Sequence, residues 1–519
     1  MRDCAGMSRT RRFLSGVALG YTYQGLVAVV SLWLTPFLLI HVGDSDYGLW
    51  LVASQIIAYL LLLDFGLLGL VPREIAFLDS EHADASSLSN LVADIFRVLL
   101  WQTPLVALLC LAGWLLLPAG WEPLRYPLAL VLTGFVVLFP MRIFPAVLQG
   151  LQDLAYVGKV QIVVWSLSVA VTILLVLAGY GLYGLSLGWL VGQMVIGPAC
   201  YLRIRRKHPR VLGGGRKLSW SNTRQHLQRG FWVHINQVGQ ILLSGTDILI
   251  IGWLLGPLAV VPYVITGKLV VLLGQQPGLL IQTAGPALSQ LRATGNRARV
   301  GEVCAALALG VVVLSGAVFC VVLGVNEGFI GAWVGANQYA GMALTVLLLT
   351  VMIVRHWNVT VAYSVFAFGH ERRLALTGLG DGVVTFLFAL GLIWWIGPLG
   401  APIGSLIGVL AVSLPANLRM LSRETGVPIR QSVRQLEGWL FRFVPLAAAA
   451  AAVPYVTEAP SLWEIGIIAA GLGLLYLAIM LPVAFRSSLA PYLERAVALV
   501  WRRRALAADP SDDSQNDRP

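Results

Sequence analysis

Fourteen apolar stretches follow one another along the chain with short polar punctuation between them. Each is close to the ~20 residues that a helix needs to cross a hydrocarbon core. A polypeptide of this kind folds in a bilayer, where a helix satisfies its own backbone hydrogen bonds. The stretches run at about 17–40, 47–70, 98–118, 127–149, 160–179, 182–202, 231–254, 258–286, 303–324, 341–369, 374–396, 398–420, 440–457 and 463–485. Composition agrees: 58% of the 519 residues are hydrophobic and 12% charged, against roughly 45–50% and 25% in soluble proteins. Mean hydropathy is +0.79. A water-soluble globular fold is excluded.

Fourteen is even, so both termini share one side. Positively charged short loops stay cytoplasmic, and with the N-terminus inside, 31 of the 36 Lys and Arg fall on or beside inner segments and one, Arg125, in an outer loop. The net charge of +11 is therefore mostly a cytoplasmic rim, whose expected partners are anionic lipid head groups. The pair Arg11-Arg12 ahead of an apolar run reads as an inside anchor. A twin-arginine export signal has a shorter apolar region. Five cysteines (Cys4, Cys110, Cys200, Cys304 and Cys320) form no CxxC pair and have no His at ligand spacing, so neither a zinc site nor a disulfide framework is suggested. No metal or cofactor is expected.

The chain carries an internal repeat. Gly184, Gly188 and Gly192 in span 6 correspond to Gly400, Gly404 and Gly408 in span 12 at an offset of 216, and Gln149-Gly150 corresponds to Phe368-Gly369. Glycine at every fourth position makes a flat stripe for close helix packing. Six spans per half gives parallel repeats. The expected organisation is a cytoplasmic N-terminus at 1–16, an N-lobe at 17–202 and a basic cytoplasmic linker at 203–230. A C-lobe at 231–420, a second linker at 421–439 and two extra spans at 440–485 follow. Residues 486–519 would hold an amphipathic helix and a disordered tail. The fold class is all-α integral membrane: two parallel six-helix lobes around a central cavity, plus two C-terminal helices.

Two nucleotide-like motifs lack their context. Gly179 to Gly184 fits GxGxxG without a preceding strand, and Asp64-Phe65-Gly66 lies inside an apolar run. Ionisable groups within spans mark either a pathway or a buried pair. They are Asp64, Arg142, Asp247, Lys268, Arg355 and Asp381, and their charges sum to zero. Lys268 and Arg355 lie nearest mid-bilayer. In span 7, His234, Gln237, Gln240, Ser244 and Asp247 recur at helical spacing, which predicts one polar face. Span 8 repeats the pattern with Lys268, Gln275 and Gln282, and Pro262, Pro277 and Pro286 predict that it is bent. Tyr21, Tyr23, Gln24 and Pro36 mark span 1, and Gln55 and Tyr59 mark span 2. Interhelical hydrogen bonding is the alternative reading of each polar face.

Certain passages resemble the polysaccharide (O-antigen repeat-unit) flippases, in the superfamily that also holds MATE exporters and lipid II flippases. They are Leu34-Thr35-Pro36 through His41-Val42-Gly43 to Tyr47-Gly48-Leu49-Trp50, then Leu63 to Leu67, Pro145 to Gln152, and Gly181-Leu182-Tyr183-Gly184. The resemblance implies a MATE-like fold, a cavity lined by spans 1, 2, 7 and 8, alternating access, and an undecaprenyl-diphosphate-linked oligosaccharide as cargo. The neutral total of the intramembrane charges departs from the cationic cavity such proteins tend toward.

On this reading Lys268 and Arg355 attract the diphosphate, assisted by Arg142 and Arg97. Gln237, Gln240, Gln275, Tyr21, Tyr23 and Gln24 meet sugar, while Asp247, Asp64 or His234 carries a coupling ion. The expected location is a bacterial inner membrane with both termini cytoplasmic, with polysaccharide polymerase or glycosyltransferases as further partners. A MATE-like drug or cation antiporter is the alternative transporter. A membrane glycosyltransferase or polymerase would need catalytic groups in a sizeable loop. The longest outer loop, Val325 to Ala340, offers Glu327 alone.

Overall fold

The computed structural model describes residues 9–80, 85–213, 220–293, 297–457, 460–487, 489–491 and 494. Every described element is helical. In chain order they are α1 (Arg9–Val42), α2 (Asp44–Leu60), α3 (Leu67–Ser80), α4 (Ala85–Leu115), α5 (Arg125–Leu138), α6 (Ile143–Gly150) and α7 (Leu154–Leu177). Next come α8 (Gly181–Lys207), α9 (Trp220–Leu243), α10 (Thr246–Leu254), α11 (Pro257–Thr266), α12 (Lys268–Ala293), α13 (Arg297–Trp333) and α14 (Met342–Ala367). The last are α15 (Glu371–Ile396), α16 (Gly400–Gly408), α17 (Leu414–Thr425), α18 (Ile429–Arg434), α19 (Glu437–Val456) and α20 (Leu462–Phe485). The chain is an integral membrane protein. Among the described residues, eleven helical stretches are long and apolar enough to cross a bilayer, or thirteen when each of two bent pairs is one span. One of the eleven, Glu371–Thr425, is 55 residues long. It contains α15, whose 26 residues alone span about 39 Å, and then turns at Gly397. The expected helix at 489–500 and the tail lie almost wholly outside the described residues, as do residues 1–8.

Several expected spans are broken, each for a local reason. The span expected at 47–70 stops at Leu60, passes through the tight turn Leu61–Asp64 and is broken again at Phe65 and Gly66, both in the left-handed region, before α3 begins. The span at 127–149 is interrupted by the turn Phe139–Arg142, where Pro140 cannot donate to the helix ladder. α9 and α10 form one bent span with an angle of 50°, and α11 and α12 another at 48°. The span expected at 303–324 instead continues as helix to Trp333. Its polar residue Asn326 is fully buried and donates to the Thr266 carbonyl (3.0 Å) and the Thr345 hydroxyl (3.1 Å). Most of the outer loop expected from Val325 is therefore α13.

The helices group into two compact units, one comprising residues 1–264 with 378–401, the other 265–377 with 402–519. In the first, α7 and α8 lie in close contact because a side chain at Gly188 or Gly192 would run into Thr172 or Ser168. Small residues let backbones approach where lipid supplies no hydrophobic drive. In the second, α13 packs against α12, α14, α19 and α20. Their shared core contains Phe319, Leu349, Trp439, Phe443 and Tyr476. Large apolar side chains such as Trp101, Phe441 and Tyr455 stay more than four-fifths exposed, as surfaces meant for lipid do.

Candidate functional site

In the first unit, four of the expected site residues gather around the six-residue turn that links α2 to α3. Asp64 is 2% exposed, and its carboxylate accepts the backbone N–H of Gly66 (3.3 Å) and Leu68 (3.1 Å). It satisfies donors at the start of α3 that the helix itself cannot. The Arg142 guanidinium donates to the Leu61 carbonyl at 3.4 Å and lies over the rings of Phe135 and Phe139. The His234 ring packs edge-on to Phe65 with centroids 5.3 Å apart. Asp64 lies within electrostatic reach of both Arg142 and His234. Gln237, one turn along α9, approaches Gly69 of α3. Arg142 Nη1, His234 Nδ1 and Gln237 Oε1 are all buried without a hydrogen-bond partner. Orphaned buried polar atoms are rare and call for an explanation.

The polar face expected from His234 to Asp247 does not run on as one stripe. Gly245 sits at φ 116 and its backbone abuts the Gln55 side chain, so the chain swings away after Leu243. Gln240 and Ser244 are exposed, and Ser244 donates back to the Gln240 carbonyl. Asp247 falls in the first turn of α10. There its carboxylate accepts the Tyr263 hydroxyl and the Ile248 N–H (3.0 Å). Tyr59 of α2 shares a hydrogen bond with Thr246 at the same break.

In the second unit, Lys268 is the first residue of α12, immediately after the break at Gly267. It is partly buried, and no described carboxylate lies within ion-pair distance of it. Gln275, two turns on, is exposed. Arg355 on α14 donates from Nε to the Ser405 hydroxyl (2.8 Å) and from Nη2 to the Ser405 carbonyl (3.2 Å), tying α14 to α16. Arg97 is paired with Asp94 at 3.4 Å on its own helix. Tyr23 packs edge-on against Trp165 of α7, and Gln24 is exposed. The side chain of Tyr21 lies outside the described residues, as does that of Gln282.

Sequence reasoning passed over three polar residues. His356, next to Arg355, shares a 2.8 Å hydrogen bond with Ser315 of α13 and lies beside Gly274 of α12. Tyr263 is the partner of Asp247. Asn358 bonds both Ser413 (2.9 Å) and Asn417 (2.9 Å), across the one π-helical turn among the described residues. Position inside an apolar span is a signal for all three, but none of them falls in the polar stripes of spans 1, 2, 7 and 8.

No curated protein sequence matches the chain. Solved structures that share its fold include the lipid II flippase MurJ in an inward closed conformation, an inward-facing MATE family multidrug resistance transporter, and a Vibrio cholerae MATE transporter mutant. The first has a TM-score of 0.61 at 12% identity, covering 91% of this chain and 98% of that one. For the second the values are 0.57, 13%, 79% and 95%, and for the third 0.50, 15%, 81% and 99%. Identities this low speak for the fold alone. A family model described as polysaccharide biosynthesis protein matches residues 13–292, more than half of the chain, and the protein belongs to that family.

Proposed function

We propose that the protein is a flippase that carries an undecaprenyl-diphosphate-linked oligosaccharide from the cytoplasmic to the outer leaflet of a bacterial inner membrane by alternating access. Family membership supports the glycan, and the lipid II flippase fold supports a lipid-linked cargo. One observation carries the chemistry. Lys268 stands at a helix break within the membrane with no described carboxylate to offset it. A cation held there is costly and is best repaid by an anion that arrives with the substrate. The diphosphate is that anion, and the prenyl tail can remain in lipid. Exposed Gln240 and Gln275 are available to sugar hydroxyls. Arg355 would have to exchange Ser405 for phosphate, and Arg97 would have to leave Asp94, so both are secondary to Lys268.

The test is complementation in cells that depend on the transporter. Lys268→Gln should abolish export of surface polysaccharide and Lys268→Arg should retain much of it. Undiminished export by the Lys268→Gln, Arg355→Gln double variant removes both residues from the mechanism. Cation or drug antiport is favoured by one feature, the Asp247 carboxylate held with Tyr263 at a helix break. Drug resistance on overexpression, lost in Asp247→Asn, would select that reading. On either reading the protein moves a solute and makes no covalent change to it.

A further inference from the structure

Two of the orphaned atoms around the α2–α3 turn, Arg142 Nη1 and His234 Nδ1, have a common logic in charge. At rest the turn holds one negative group, Asp64, with Arg142 beside it, so the pair is neutral. Asp64 is already committed to two backbone N–H groups at the start of α3. Arg142 is held loosely, by one long bond to Leu61 and by ring faces, with Nη1 unused. An anionic head group that engaged Arg142 would leave Asp64 buried without its counter-charge.

His234, packed on the other end of the same turn with Nδ1 unpartnered, can restore the balance. A proton taken from water onto the unprotonated ring nitrogen makes an imidazolium, with N–H groups on both sides of the ring. From this geometry we infer that His234 is the protonation site linked to the substrate: head-group binding at Arg142 and proton binding at His234 favour each other, with Asp64 as the shared counter-charge. The inference rests on the flippase reading above and adds to it the identity of the coupling residue.

Charged or titratable groups lie on each element packed against α9. α3 contributes Arg73 and Glu74, two turns beyond Gly66, and Asp79 near its end; α4 contributes Asp94, Arg97 and Cys110, α10 contributes Asp247, and α15 contributes Glu371, Arg372 and Arg373 at its start and Asp381. Asp94 pairs with Arg97, Asp247 accepts from Tyr263, and Asp381 accepts from Thr385. Asp64 immediately precedes Phe65, whose ring meets the imidazole.

The experiment uses the full-length protein in lipid nanodiscs with undecaprenyl diphosphate as probe. Titration calorimetry in buffers of different ionisation enthalpy counts the protons taken up per ligand bound. The wild type should take up a measurable fraction of, and at most about one, proton. In His234→Gln, with binding retained, that uptake should vanish. Asp64→Asn, which leaves the ring intact, should lower it, and Arg142→Lys, which keeps the charge, should preserve it. Equal uptake by the wild type and both the His234 and Asp64 variants overturns the inference, as does wild-type binding without uptake. Failure of the wild type to bind the probe at any pH overturns the diphosphate reading itself and is recognisable as such.

Discussion

A buried polar side chain in this protein is decided by where its last hydrogen bond goes. Tyr476 is fully buried, donates to the Val313 carbonyl at 2.8 Å and accepts from Trp439 Nε1 at 2.9 Å. Tyr476→Phe keeps the ring and orphans the indole N–H, which typically costs 1–3 kcal/mol. Polar contacts in membrane proteins fall at the low end, often ~0.6 kcal/mol, so about 1 kcal/mol is expected. Thermal unfolding in detergent should show it, and adding Trp439→Phe should recover part of the loss because no donor is then stranded. Asp64 separates cap from carrier in the same way. Asp64→Ala strands two backbone donors and should lower stability by about 1–3 kcal/mol. Asp64→Asn keeps an acceptor and should lose less. Equal stability of the two variants would mean that the carboxylate is not holding α3.

At the level of the element, hydropathy made the spans legible and said little about their interruptions. A 20-residue apolar window identifies a helix because lipid leaves the backbone no other partner. A break depends on one residue in a special conformation, and with 54 glycines in the chain nothing in the sequence sets Gly245 or Gly66 apart from the rest. The stripe from His234 to Asp247 obeyed helical spacing, yet the turn at Gly245 moves Asp247 onto another helix. The bend of span 8 was legible from its prolines, but the chain turns at Gly267, between Pro262 and Pro277. Asn326-Glu327-Gly328 looks like loop because its hydrogen-bond partners, Thr266 and Thr345, are far away in sequence. The charged site residues were visible as intramembrane charges. That Asp64, Arg142 and His234 share one turn was not, since it needs α2, α9 and the turn before α6 in place at once. Gly245→Ala tests the break: it forces a Cβ into the Gln55 side chain at a φ that costs about 1–3 kcal/mol for such a residue. Transport should fall roughly tenfold or more, and adding Gln55→Ala, which clears room for that Cβ, should restore part of it.

For the molecule as a whole, duplication and charge asymmetry carry the argument. In the first unit Arg203 at the end of α8 binds Asp153 at 2.8 Å, just before α7. In the second, His370 before α15 contacts Glu424 at the end of α17, also at 2.8 Å. These pairs sit at corresponding places in the two halves, at offsets of 217 and 221 residues, close to the 216 of the glycine stripes. The two clasps therefore match the spacing of the glycine stripes, with the acidic and basic side chains exchanged between the corresponding positions. Their side of the membrane follows from the 31 to one distribution of Lys and Arg, which predicts that both clasps face the cytoplasm. Cysteine labelling can check this cleanly because Cys110, Cys200, Cys304 and Cys320 are free and buried, and Cys4 is removable as Cys4→Ser. In that background a membrane-impermeant maleimide should label Glu122→Cys and Asn337→Cys, both exposed, in intact cells. Gln431→Cys, exposed on α18, should react only after the membrane is opened. Reversal of the pattern would turn the basic rim outward and with it the direction in which a lipid-linked sugar could be drawn across.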